Sequence, residues 1–162
     1  MQQDSLFVKM VLGAWNSELN AASKLFDQLS DDELMQEIAP SRNRGIYLLG
    51  HLVAVHDLLL PLLRLADPLY PALRPAFIDE ADKAVSELPS VSSLRAQWKE
   101  VNNTLAAHFQ KLTPAEWLER HASISPEDFV NEPHRNRLNV LLSRTSHLAY
   151  HRGQMVLLSR KK

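Results

Sequence analysis

Apolar positions recur along most of this chain at the 3.6-residue period of an amphipathic helix. Over residues 4–26, Leu6, Met10, Ala14 and Ser17 fall at helical spacing, as do Phe7, Val11, Ala14, Leu19 and Ala22, while Lys9, Asn16, Glu18 and Lys24 carry the polar side. The pattern predicts a first helix there. Ser30-Asp31-Asp32-Glu33 has the form of a capping box, so a short helical turn should follow before Pro40 breaks the chain. A second helix is expected from near Arg42 or Asn43, with Ser41 as its cap, to about Ala66. It is apolar almost all round, which places it deep in the core. Pro61 removes a backbone donor and should kink its last turns.

Residues 67–89 contain Pro68, Pro71, Pro75 and Pro89 and read as an irregular crossover with a short helix at 78–88. A third helix spans 91–111, with Leu94, Trp98, Val101, Leu105 and Phe109 on one face. Thr113-Pro114-Ala115-Glu116 combines a capping threonine, proline at the first helical position and glutamate at the third, which starts a short helix through Trp117. A loop is expected over 125–135. The fourth helix starts near Asn136 or Asn139 and runs to Ser159, burying Leu138, Leu141, Leu142, Leu148, Val156 and Leu158. The expected architecture is all-α: four long helices in one domain, residues 1–162, with a long crossover between the second and third.

Composition sharpens this picture by exclusion. Only 4 glycines occur in 162 residues, too few for a turn-rich β fold or Gly-rich phosphate loops. With 18 basic and 19 acidic residues the net charge is −1, and the only basic run is the terminal Arg160-Lys161-Lys162, best read as a solvated helix end. A nucleic-acid partner is therefore not expected. The absence of cysteine excludes disulfides, thiolate metal ligands and a cysteine nucleophile. The N-terminus has no basic region followed by an apolar run, and the longest uninterrupted apolar candidate, Leu58–Leu63, is far short of a membrane span. A cytoplasmic protein without membrane contact is the expectation.

The chemistry-bearing residues are histidines. His147 and His151 stand four apart on the fourth helix, on one face a turn apart, and two imidazoles so placed can share one metal ion. A zinc-protease reading fails because Leu148 occupies the position where that chemistry needs glutamate. A third ligand should come from another helix. His51 and His56 both lie on the second helix, but five residues apart they project about 140° from each other, so they cannot face one site. His51 is chosen, because its neighbours Leu49, Leu52 and Val53 are more uniformly apolar and a histidine there needs a metal or a partner. His56, beside Asp57, is expected at a surface or subunit contact. His108, His121 and His134 are weaker candidates, the last two in polar loop-like segments. Tyr47, Arg144 and Gln154 fall near the site by helix position, and Arg144 could bind a carboxylate.

Gly50-His51-Leu52 and the run His147-x-x-x-His151-Arg152-Gly153-Gln154 resemble the DinB-like (YfiT-like) metal-binding bundles in motif, position and helix order over essentially the whole chain. The resemblance implies a four-helix bundle in up-down-down-up order, a three-histidine site for zinc or nickel formed by His51, His147 and His151, and a homodimer. Many members carry a further histidine where this chain has Tyr150. The resemblance also implies a metal-dependent transferase or isomerase that uses a low-molecular-weight thiol on an electrophilic substrate, in stress or detoxification. Two other readings stand beside it: a metal-stabilised dimeric interaction module without chemistry, and a metal-dependent hydrolase.

Overall fold

The computed structural model describes residues 2–160. The basic terminal run lies outside them, apart from the backbone of Arg160. Among the described residues the chain is helical, with only two isolated β-bridges, Glu37–Arg44 and Arg120–Asn136. The helices are α1 (Gln2–Gln28), α2 (Asp31–Leu34), α3 (Gly45–Asp57), α4 (Leu59–Leu62), α5 (Val91–Phe109), α6 (Pro114–Trp117), α7 (Pro126–Asn131) and α8 (Arg137–Met155). α1 packs along α8 and α3 along α5, and α3 also touches α8. That last contact lets the second long helix and the last one share a site.

α1 buries only part of the face expected: Val11 and Ala22 are inside as the pattern predicted, whereas Leu6, Phe7 and Met10 are not. Val8, Val11, Trp15, Ala22 and Phe26 point inward, while Leu6, Phe7 and Met10 are 56%, 58% and 61% exposed. Both faces of its first half are apolar, so local pattern does not set the rotation. The large aromatics do: Trp15 lies 6.3 Å from the ring of Phe109, and Phe26 lies 5.1 Å from Trp98.

α3 begins at Gly45, after Arg44, and Ser41 is not its cap. Ser41 sits at φ 62° with its N–H donating to Glu37. The start is held from a distance instead. The Asp82 carboxylate accepts the Arg44 backbone N–H at 2.7 Å and its guanidinium at 2.7 Å, an anion where a helix start favours one. Burial pushes the Asp82 carboxyl up, but Arg44 outweighs this and holds it below the usual range.

Every residue of α3 is buried except His51, which is half-buried. The apolar stretch is longer than the sequence reading allowed. Residues 45–62 are long and apolar enough to cross a membrane by length and composition, and 78% of them are buried inside the fold, as befits a core helix. The helix breaks at Leu58 because Pro61 has no N–H to offer the Asp57 carbonyl. It ends at Leu62 rather than Ala66, and Arg64 at φ 57° turns the chain away.

The crossover holds no helix over 78–88. Its helical piece is a single π-helical turn at Pro75–Asp79, and Lys83 at φ 73° interrupts the segment beyond it. The ring of Phe77 lies directly on Gly50, where a Cβ would fall 2.2–2.5 Å from three ring carbons. Only glycine lets this turn approach α3 so closely.

α5 and α6 follow expectation, including the Thr113–Glu116 capping box. Residues 126–131, expected as loop, form α7: Ser125 caps it, with Pro126 in the first turn. α8 starts from the Asn136 cap and ends at Met155, short of Ser159. Leu138, Leu141 and Leu148 are buried, whereas Leu142 is 45% exposed.

Candidate metal centre

His51 from α3 and His147 and His151 from α8 come together, with one ligand atom from each within 4.8 Å of the others. The Nε2 atoms converge: His51 to His147 at 3.3 Å, and His151 to His147 at 3.1 Å. For a tetrahedral ion with N–metal bonds of ~2.0–2.1 Å, neighbouring ligand nitrogens stand about 3.3–3.4 Å apart. The two separations from His147 lie close to that spacing.

Their outer nitrogens explain the aim. His51 Nδ1 donates to the Phe77 carbonyl at 2.8 Å, which fixes the proton there and leaves a lone pair on Nε2. His151 Nδ1 lies 2.8 Å from Gln154 Oε1 and is fixed likewise, while the Gln154 amide donates onward to the Tyr150 hydroxyl at 3.0 Å. Two lone pairs thus face His147 Nε2, and one proton on that atom could serve only one of the two contacts. His147 Nδ1 is buried without a hydrogen-bond partner. A cation at the point of convergence accommodates all three lone pairs, so the residues fit a divalent ion.

The imidazoles are held neutral, the form that ligates. Burial pushes His147 down to about 4, aided by His151, His51 and Arg144. Burial also lowers His51 and His151, against the opposing hydrogen bonds from Phe77 and Gln154.

The motif after His151 divides into distinct tasks. Arg152 reaches α1 and pairs with Glu18, its Nη2 standing 3.3 Å from Oε2, which ties α8 to α1. Gly153 faces open space. Gln154 orients His151. Tyr47 stacks on His51 with ring centroids 6.4 Å apart, but its hydroxyl donates to the Glu80 carbonyl at 2.7 Å, so it supports the site rather than entering it.

His56 is not at a surface. It is fully buried between Trp15 and Trp98, at 4.9 and 4.7 Å, with Nδ1 on Asn102 Oδ1 at 2.8 Å. Burial holds its pKa down to about 3. Its neighbour Asp57 is buried too, with its carboxylate accepting the Leu69 and Tyr70 N–H groups. Neither His56 nor His108, His121 or His134 joins the histidine cluster. The sequence reading missed the Phe77 carbonyl altogether, and no pattern in residues 67–89 marks it.

The DinB superfamily model matches residues 14–155, and the chain belongs to that superfamily. A crystal structure of a DinB-like protein from Bacillus cereus has the same fold, with a TM-score of 0.68 at 22% identity over 93% of this chain and 89% of that one. No curated protein matches the chain.

Proposed function

We propose that this DinB-superfamily protein binds one zinc or nickel ion through His51, His147 and His151 and uses it to transfer a low-molecular-weight thiol to an electrophilic substrate. The observation that carries the reading is the convergence of three imidazole lone pairs with no fourth protein donor in the cluster among the described residues. A structural ion is ordinarily closed by a fourth protein ligand, whereas a catalytic one keeps a position open. That favours chemistry over the purely structural module. An ion in this site would favour the thiolate form of a coordinated thiol at neutral pH. In such a transfer the thiol proton would pass to solvent and the thiolate sulfur would form the bond to the electrophilic carbon as the leaving group departs with its electron pair. Phe77 and Gln154 keep the two flanking imidazoles aimed throughout. The absence of cysteine fits a protein that borrows its thiol.

Cobalt-substituted protein titrated with 2-mercaptoethanol tests this. New near-ultraviolet thiolate-to-cobalt absorption, and thiol-dependent consumption of an alkyl halide panel, are expected. Consumption at the same rate with water alone would leave hydrolysis as the reading.

The long helices are taken to run up-down-down-up, consistent with α1 on α8 and α3 on α5. Leu6, Phe7 and Met10 on α1 and Leu142 and Tyr150 on α8 are exposed on two helices that pack together, and apolar surface of this kind suits a homodimer. Light scattering should give twice the chain mass for the wild type and the chain mass for Met10→Glu. A monomeric wild type would remove the dimer from the proposal.

A further inference from the structure

Arg144 lies on α8 three residues before His147, so it shares that face about 4.5 Å further toward the helix start. It is half-buried, yet it makes no hydrogen bond or ion pair among the described residues. Taking a guanidinium partly out of water without a partner is costly. Its surroundings offer no compensation. No carboxylate joins the three histidines in their cluster among the described residues, and the charge of Arg144 acts on His51 and His147. A divalent ion held there would add two more positive charges to a site that contains no anion.

A cavity of about 230 Å³ opens beside Arg144. Arg135, His121, Asn139 and Ser143 line it together with apolar Leu62 and Val140, and no acidic residue does. The Ala122 N–H donates to the Leu62 carbonyl at 2.8 Å, which pins the His121 loop against the end of α4. The Ser123 N–H donates to His121 Nδ1 at 3.1 Å, so the ring proton sits on Nε2, which is left as a donor. Arg135 pairs with Glu132 through Nη1 at 2.8 Å, which offsets its charge and leaves its other guanidinium N–H groups as donors.

We propose that Arg144, with Arg135 and the His121 Nε2–H, forms a subsite for a carboxylate, the anionic end of a small ligand whose other end reaches the three-histidine centre. The guanidinium fork matches a planar carboxylate. The Leu62 and Val140 walls suit the hydrocarbon that carries it. The inference deepens the function proposed above and rests on it only for the identity of the second end.

Calorimetry on metal-free and cobalt-loaded protein separates the two claims. Propionate should bind the wild type in both forms, and Arg144→Gln should weaken it about tenfold. Cobalt-loaded wild type should prefer 3-mercaptopropionate to 2-mercaptoethanol by about tenfold, and Arg144→Gln should lose that preference at unchanged cobalt content. Arg144→Lys, which keeps the charge but not the fork, should fall between them and guards against a misfolded glutamine variant. Equal propionate affinity in wild type and both variants would overturn the subsite. Inorganic phosphate binding more tightly than propionate would overturn its assignment to a carboxylate. If propionate binding depends on Arg144 while neither thiol alters the cobalt absorption, the subsite stands and thiol transfer falls.

Discussion

Wild-type protein is expected to purify with about one divalent ion per chain, and His51→Ala with less than about a tenth of that. His147 and His151 come from a single helix and would fill only half of a tetrahedral shell; His51 would supply the third ligand, from α3 across to α8. Loss of a group that merely orients a ligand costs ~10–100-fold in affinity, and loss of the ligand itself should exceed that. The expected signature is twofold. Elemental analysis should find the variant nearly metal-free, and added zinc or nickel should raise the melting temperature of the wild type but not of His51→Ala. At a free ion concentration a hundred times Kd, the linked stabilisation is about 2.7 kcal/mol, large enough to read in a melt. Circular dichroism of the metal-free forms should coincide, because His51 is the one residue of α3 outside the buried set. Equal metal in both proteins would remove His51 from the site and, with it, the chemistry proposed for the centre.

The site was legible in the sequence to the extent that its parts were periodic or costly. His147 and His151 reveal themselves by spacing on a helix. His51 does so by standing in an apolar run where an unpaired imidazole would be expensive. The same reasoning misplaced His56, because adjacency to Asp57 suggested a polar surface. In the fold Asp57 turns to the backbone of Leu69 and Tyr70, and His56 finds Asn102 on α5, forty-six residues away. That partner is tertiary and leaves no local trace. The rotation of α1 was illegible for a related reason. Leu6 and Met10 make as good a stripe as Val8 and Val11, and the choice falls to Trp15 and Phe26, whose partners lie on α5. Capping boxes at Ser30 and Thr113 were read correctly because their hydrogen bonds close within three residues. The start of α3 was not, because its anion comes from Asp82, 38 residues further on.

Gly50→Ala should be destabilising and should also weaken metal binding, although alanine is the better helix former by about 1 kcal/mol. The added methyl would stand 2.2–2.5 Å from the Phe77 ring, inside van der Waals contact. The ring is fully buried, with Tyr47 at 5.9 Å, so it cannot simply swing away. Either α3 or the 75–79 turn must shift, at a cost of ~1–3 kcal/mol for overpacking. A shift of that turn carries the Phe77 carbonyl with it. His51 Nδ1 then loses the acceptor that fixes its proton, and affinity for the ion should fall by ~10–100-fold. Gly13→Ala supplies the opposite sign. It lies in α1 with nothing within 4 Å of an added Cβ, so the propensity gain of up to about 1 kcal/mol should appear undiminished and metal affinity should not move. Urea denaturation of the metal-free proteins, paired with zinc competition titrations, reads both quantities. Were Gly50→Ala as stable as the wild type and equal to it in affinity, the close approach of Phe77 would have no hold on His51. Loss of stability with full affinity would separate packing at Gly50 from the aim of the imidazole. Loss of both ties the centre to the point on α3 where Phe77 of the crossover leaves room only for glycine.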